Sequence, residues 1–128
     1  MELPNAPLGA TKRTTLHRIP HKEVKDRQAL YQILDAALVG HVGFTHDGQP
    51  FVIPVAIARD EDSLLLHGSK ASRLFKILAS GASCAVSVTI LDALVLARSA
   101  FESSMNYRSA LVLGKAVELE GVAKERAF

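Results

Sequence analysis

The sequence is poor in three features that define whole classes of proteins. Tryptophan is absent and aromatic residues make up 5% of the 128 residues, which argues against a row of stacking platforms for single-stranded nucleic acid. Cys84 is the single cysteine, so no disulfide can form within the chain, and this favours a reducing compartment. The uninterrupted apolar runs are much shorter than a membrane span, so we expect no membrane partner.

Signals for export and for polyanion binding are also weak. The N-terminus has no hydrophobic segment of the kind that signal peptides carry, so we expect a cytoplasmic protein. The formal net charge of +2 is too small to indicate nucleic acid as a partner and is compatible with a small anionic ligand. Pro20 separates His17 from His21, which disfavours a helical metal site there, and we expect no bound metal.

The chain length and the 48% content of hydrophobic residues fit one domain with a substantial core. Residues 1–20 are polar and interrupted by prolines, which predicts an extended N-terminal arm. Residues 21–128 then form the domain itself.

Hydrophobic periodicity predicts two helices and six strands. Apolar residues at spacings of three and four predict a helix over residues 26–38 and another that runs to about Ser80, before Gly81. The predicted strands cover residues 39–45, 51–58, 64–67, 83–91, 94–97 and 109–120. Asp47-Gly48 predicts a hairpin turn and Asp92-Ala93 a second tight turn. Together these elements predict a mainly β (α+β) fold, a six-stranded antiparallel split β-barrel with flanking helices.

Pro54 lies inside the predicted strand 51–58. The continuous apolar character of this strand predicts that both of its faces are covered. Because proline cannot donate a ladder hydrogen bond, Pro54 indicates an edge, a bulge or a gap in the ladder. A gap would offer free backbone groups to a flat ligand, and a simple edge strand explains the same proline equally well.

Residues 64–78 combine a strand, a tight turn and the start of a helix. Four residues at this corner carry hydroxyl groups or positive charge: Ser69, Lys70, Ser72 and Arg73. The free N–H groups and the positive end of the helix dipole favour an anion at such a position, and Arg73 can add a two-pronged contact. The pattern therefore predicts a phosphate site, although an ordinary serine N-cap with solvated cations fits the same residues.

Several segments taken together resemble a known family. Residues 47–54, 67–69, 72–74, 94–101 and 104–109 are similar, in order and spacing, to the flavin-nucleotide-binding relatives of pyridoxamine 5'-phosphate oxidase. Among these relatives the nitroimidazole-resistance-like branch is the most similar. The resemblance runs from about residue 26 to residue 118. It implies a split β-barrel that binds FMN at a homodimer interface and acts on a small-molecule substrate.

The resemblance also assigns roles to individual residues. The two serines and Arg73 would hold the FMN phosphate, with Lys70 as a helper, and the backbone of residues 53–55 would line the isoalloxazine ring. His67 would lie near the flavin and substrate as the catalytic candidate, and a hydrogen-bonded structural histidine is the alternative. Residues 106–109 would come from across the dimer. The full set of implied cofactor-binding residues is Ile53, Pro54, Val55, His67, Ser69, Lys70, Ser72, Arg73, Asn106, Tyr107, Arg108 and Ser109.

The activity that the resemblance implies is that of an FMN-dependent oxidoreductase. Its acceptor would be a small molecule such as a nitro compound or a quinone, or it would carry out a reaction like that of pyridoxamine-phosphate oxidase. One alternative is a non-catalytic flavin- or haem-binding module, in which His67 or His41 would ligate the metal centre. A weaker alternative is a deazaflavin or a vacant site.

The chain departs from the family pattern at two places and at its end. Asp92-Ala93 stands where many relatives have Asp-Gly, and Glu102-Ser103 stands where paired histidines are expected. An expected C-terminal extension is missing, which predicts a truncated or unusually short member of the family. These departures affect the substrate pocket more than the phosphate site.

Overall fold

A computed structural model describes residues 1–3 and 5–119 and shows one antiparallel sheet with two α-helices. The strands are β1 (Val39–His46), β2 (Gln49–Asp60), β3 (Ser63–His67), β4 (Ser83–Val95) and β5 (Ser104–Lys115). The helices are α1 (Arg27–Ala36) and α2 (Arg73–Ala79), and short 3-10 turns cover Pro20–Lys22 and Ala100–Glu102. The strand order across the sheet is β3-β2-β1-β4-β5.

The described chain contains five strands in an open sheet, so the prediction of a six-stranded barrel is wrong in its strand count. The predicted strands 83–91 and 94–97 are one strand, β4. Its ladder with β5 passes from the pair Leu91–Tyr107 to the pair Ala93–Asn106, which leaves Asp92 as the extra residue of a β-bulge. Asp92 and Ala93 both lack the positive φ that a two-residue hairpin turn requires.

The reversal between β4 and β5 occurs later, in the loop that contains Ala100–Glu102. There the Ser103 hydroxyl accepts a hydrogen bond from the Ala97 N–H and donates one to the Ser99 carbonyl. Strand β5 consequently begins at Ser104, earlier than the predicted 109–120, and the predicted end at residue 120 lies outside the described residues. Residues 104–109 are exposed, so the burial alternation that reveals a strand is missing from them.

The hairpin turn at Asp47-Gly48 is confirmed. Asp47 has φ 50° and Gly48 has φ 77°. Both central residues of the turn are therefore in the left-handed conformation, for which Asp-Gly is a favoured sequence. Because the turn has two residues, it fixes the register of β1 on β2, and Phe44 lies opposite Phe51.

Both helices bury an apolar stripe against the sheet. The Asp26 carboxylate caps α1 by accepting a hydrogen bond from the Gln28 N–H at 3.1 Å, and Leu34 of α1 is 1% exposed. Gly81 has φ 86° and ends α2 as predicted. The main buried residues form one core: Leu34, Ala37, Val42, Phe44, Val55, Ile57, Leu64, Leu74, Leu78, Cys84, Val86, Val88 and Val112.

Strand β2 has one buried face, so the prediction that both faces are covered is wrong. Val55 and Ile57 are buried, whereas Val52 is 66% exposed and Pro54 and Ala56 are also exposed. The continuous apolar run gave no alternation from which the exposed face could be identified. Within the described chain, β2 therefore presents an apolar face to solvent.

A polar network fastens α1 to the β2–β3 hairpin. Arg59 donates hydrogen bonds from Nε to Asp35 Oδ1 at 2.7 Å and from Nη2 to Asp35 Oδ2 at 2.8 Å. The Arg59 guanidinium also lies 4.3 Å from the centroid of the Tyr31 ring, and Tyr31 donates a hydrogen bond to Asp62 at 2.9 Å. Bidentate arginine–carboxylate geometry is the strong form of a surface ion pair.

This pair predicts a pH-dependent contribution to stability. The hydrogen bonds from Arg59 hold the pKa of Asp35 below its ordinary value of 3.8. A lowered folded-state pKa adds stability above the unfolded pKa, and that stability is lost as the pH falls through the folded value. We expect Asp35→Asn to lower the urea midpoint at pH 6, with a difference from wild type that shrinks below pH 3.8. A difference that is constant from pH 6 to pH 3 would contradict this role.

Candidate cofactor site

The corner after β3 and residues 51–56 of β2 line a groove of about 480 Å³. We call this the corner groove. It collects seven of the twelve implied cofactor-binding residues: Ile53, Pro54, Val55, His67, Ser69, Ser72 and Arg73. The other lining residues are Phe44, Phe51, Ala56, Gly68, Leu74 and Phe75. Residues distant in the sequence, from β2 and from the β3–α2 turn, thus meet at one place.

Two serines build the turn and still have a proton to donate. The Ser72 Oγ caps α2 by accepting a hydrogen bond from the Phe75 N–H at 3.2 Å, and the Ser69 Oγ accepts one from the Ala71 N–H at 3.2 Å. The Ser72 N–H donates to the Ser69 carbonyl at 3.1 Å. Each hydroxyl oxygen serves the backbone as an acceptor, so its own O–H can point outward to an anion. Ser72 is thus confirmed as the N-cap of α2, and this role is compatible with phosphate binding.

Arg73 is the arginine that borders the groove. Among the described residues, no aspartate or glutamate pairs with it, whereas Arg27, Arg59 and Arg108 each face an aspartate. Its guanidinium carbon lies 5.2 Å from the centroid of the Phe51 ring. A contact with the face of a ring leaves the five N–H donors of the guanidinium available for an anion.

The groove also borders an unpaired strand edge. Strand β2 pairs with β1 from Gln49 to Ala56, but its pairing with β3 begins only at Ala56. Pro54 therefore lies where β2 has a partner strand on one side, which confirms the edge interpretation of this proline. Residues 53–55 line the groove and so bring this unpaired edge beside the serine-rich corner.

Five of the implied cofactor-binding residues lie elsewhere in the described chain. Lys70 lines a different cavity and pairs with Glu118 at 2.5 Å. Asn106, Tyr107 and Arg108 lie on the exposed part of β5. Ser109 lines a third cavity, which the N-terminal arm borders.

Arg108 is held by the β-bulge. Its Nε and Nη2 donate hydrogen bonds to the two carboxylate oxygens of Asp92, both at 3.1 Å. These bonds raise the pKa of Arg108 above its ordinary value. Within one chain, this arginine is therefore engaged by its own strand pair, and it does not line the corner groove.

His67 borders two cavities. As the last residue of β3 it lines the corner groove and also a cavity of about 630 Å³ between β3, α2 and residues 116–119. We call the latter the α2 cavity. Its walls are mainly apolar and include Leu66, Phe75 and Leu78, with Lys76 among the charged lining residues. This cavity was not predictable from the sequence, because it depends on the packing of residues 116–119 beside α2.

The Phe44–Phe51 pair was also missed, although the sequence contained a signal for it. The two residues are placed symmetrically about the Asp47-Gly48 turn, so a two-residue hairpin makes them cross-strand neighbours. Their rings stack with centroids 5.4 Å apart and planes 15° apart. They form the aromatic floor beneath Arg73.

Within residues 1–3 and 5–119, no group of three or more His, Cys, Asp or Glu side chains is arranged to hold a metal ion. No helix in the same residues has the length and apolar character needed to cross a bilayer.

Comparisons with known proteins identify the family. The model of the family described as pyridoxamine 5'-phosphate oxidase matches residues 26–128, most of the chain. The protein therefore belongs to the pyridoxamine 5'-phosphate oxidase family. No curated protein matches the chain, and the membership in the nitroimidazole-resistance-like branch stays a prediction.

The chain is similar to several solved structures, among them the following two. An FAD- and haem-binding protein from Mycobacterium smegmatis is 43% identical with a TM-score of 0.69, over 72% of this chain and 45% of that protein. The flavocytochrome Anf3 from Azotobacter vinelandii is 37% identical with a TM-score of 0.81, over 97% of this chain and 56% of that protein. The chain thus spans about half the length of either structure.

Proposed function

We propose that the chain is a flavoprotein that binds FMN in the corner groove. The phosphate would be held by Arg73 and the hydroxyls of Ser69 and Ser72, and the isoalloxazine ring would lie along residues 53–55. The observation that carries this proposal is that one groove brings together Arg73, two serine hydroxyls and an unpaired strand edge. No carboxylate of residues 1–3 and 5–119 pairs with this arginine. Such donors suit a phosphate, since charge-assisted and bidentate contacts are the strong ones.

The proposed activity is that of an oxidoreductase that reduces a small acceptor. The bound flavin would supply the electron chemistry, and the chain would supply binding, orientation and exclusion of water. A nitro compound or a quinone is the proposed acceptor class, in keeping with the nitroimidazole-resistance-like branch. His67 at the rim of the groove is the proposed catalytic residue, and the cytoplasm is the proposed location.

The similar structures support a flavin and raise the question of its form. One of them is a protein that binds FAD and haem, and the other is a flavocytochrome. FMN and FAD share the first phosphate, so the same donors suit both. Mass spectrometry of the released cofactor distinguishes the two, and FMN is the form that we expect.

The first prediction from the proposed function concerns the phosphate. We expect the protein to carry a bound yellow cofactor with a flavin absorbance band after purification. We expect Arg73→Ala to weaken FMN binding by roughly 1.5–3 kcal/mol, the scale of a hydrogen bond to a charged group. Titration calorimetry with FMN measures the change. Lys76→Ala is the matched control, because Lys76 lies on the same helix but lines the α2 cavity.

Two results would count against the proposal. A wild-type protein that ignores added FMN and FAD would remove the flavin function altogether. Binding that Arg73→Ala leaves at the wild-type dissociation constant would remove Arg73 from the phosphate site.

We also propose that two copies of the chain form a homodimer that completes the cofactor site. We call residues 91–109 the ribbon; it comprises the end of β4, the start of β5 and the loop between them. Every residue of the ribbon except Ser103 is exposed. Leu94, Leu96 and Phe101 are 67%, 83% and 95% exposed. A two-stranded ribbon is marginal alone in water, and several large apolar side chains exposed on one such ribbon favour an interface.

The ribbon would also explain where the remaining implied residues act. Asn106, Tyr107 and Arg108 lie on it and do not line the corner groove of their own chain. In a two-fold dimer each ribbon can cover the other chain, which would bring these residues toward the partner's flavin.

The second prediction tests this dimer. We expect wild-type protein at micromolar concentration to have the mass of a dimer by light scattering, and Leu96→Asp combined with Phe101→Asp to give a monomer, because both residues are exposed outside the strands. Val24→Asp, at a residue 64% exposed outside the ribbon, should leave the mass unchanged. A wild-type monomer, or a double variant that stays dimeric, would contradict the proposal.

A second candidate function is haem binding in the α2 cavity. His67 opens onto this mainly apolar space of about 630 Å³, a size typical of small-molecule sites. Histidine is a common haem ligand, and Lys76 offers a cation for a haem carboxylate. His41, the other candidate ligand, is exposed on β1 and lines none of the three cavities described above.

The third prediction separates these two histidines. If haem occupies the α2 cavity, added haemin should give the Soret band of a histidine-ligated haem, and His67→Ala should abolish that spectrum while His41→Ala keeps it. A spectrum that survives in His67→Ala, or no binding by the wild-type protein, would exclude this candidate and leave the flavin proposal intact.

A further inference from the structure

The Arg73 guanidinium rests on an aromatic pair that is anchored in the core. Phe44 of β1 is 6% exposed and belongs to the buried core. The Phe51 ring stacks on it, with the ring centroids 5.4 Å apart, and the guanidinium lies 5.2 Å from the centroid of the Phe51 ring. A continuous stack therefore leads from the core to the cation of the corner groove.

The contact of Arg73 with an aromatic ring differs from the contacts of the arginines that pair with aspartate. Arg59 and Arg108 direct two N–H donors each to a carboxylate, so those donors are already used. A ring face attracts the cation through its quadrupole and restricts its position without accepting the in-plane hydrogen bonds. Arginine otherwise loses considerable rotamer freedom when it is immobilised on a ligand.

We propose that Phe51 is a positioning residue for Arg73. Its ring, backed by Phe44, holds the guanidinium beside the groove with its donors unused, so that a phosphate-bearing ligand meets an arginine already in place. The inference rests on the proposed flavin function, because it concerns how the phosphate of that ligand is held. It assigns to an aromatic side chain a role that the resemblance gave only to polar ones.

A double-mutant cycle with FMN tests the proposal. Phe51→Leu keeps the apolar bulk but removes the ring face, and it should weaken FMN binding roughly 3- to 10-fold, the scale of a cation–π contact. Phe51→Tyr keeps the ring and should bind FMN within about twofold of wild type. In the Arg73→Ala background, Phe51→Leu should have almost no further effect, because the group that it positions is gone.

A purely structural role predicts a different result. If Phe51 only packs the groove or contacts the flavin ring, Phe51→Leu would weaken FMN binding by the same factor with or without Arg73, and the inference would be wrong. Equal affinity of wild type and Phe51→Leu would also overturn it. The melting temperatures of the variants show whether any loss comes from unfolding instead.

A ligand-free measurement separates this inference from the proposed function. The ring current of Phe51 should shift the side-chain NMR signals of Arg73 upfield, and Phe51→Leu should abolish the shift while Phe51→Tyr keeps it. If the shift is present but FMN does not bind, the proposed function is wrong, and the role of Phe51 in phosphate binding is overturned with it. If FMN binds through Arg73 but no ring-current shift exists, the positioning role alone is wrong.

Discussion

The register between β1 and β2 is the constraint on which the rest of the site depends. The two-residue turn at Asp47-Gly48 sets that register through positive φ at both residues. It places Phe51 opposite Phe44. Strand β3 ends at His67, opposite Ala56, so the part of β2 before Ala56 has no partner on that side. A shift of one residue would turn the side chains of β2 to the opposite faces. Phe51, Val55 and Ile57 would then point away from the core, and their exposed neighbours would point toward it.

The corner after β3 shows how one residue serves folding and binding together. Ser72 begins α2 by accepting a backbone hydrogen bond, and Ser69 stabilises the preceding turn in the same way. A hydroxyl both accepts and donates, so neither role excludes the other. The sequence fitted both an ordinary N-cap and an anion site. These two interpretations are therefore compatible with each other.

Much of the fold follows from local signals in the sequence. A helical or strand period can be seen within one segment, as in the apolar stripe of α1 and in the alternation of Cys84, Val86 and Val88. The Asp-Gly turn is equally local, because its two residues alone allow the positive φ that the turn requires. The β-bulge at Asp92 is not local, because its existence depends on the register of β5. The start of β5 is exposed because nothing in the described chain covers it. It therefore lacks the burial alternation from which a strand is predicted.

The candidate site was predictable to the extent that its residues belong to contiguous motifs. Residues 53–55 and 67–73 came from such motifs, and the structure brings most of them to one groove. Lys70 faces another cavity, since adjacent residues in a turn point in different directions. The role of the ribbon residues near Arg108 depends on a second chain, which one sequence does not specify.

The central claim is that the corner groove receives the phosphate of a flavin nucleotide. A crystal structure of the protein with bound FMN tests it most directly. The account predicts that the phosphate oxygens lie within hydrogen-bonding distance of the Arg73 guanidinium and of the Ser69 and Ser72 hydroxyls. An FMN phosphate bound at a different place, with Arg73 still on Phe51 and directed at solvent, would contradict it.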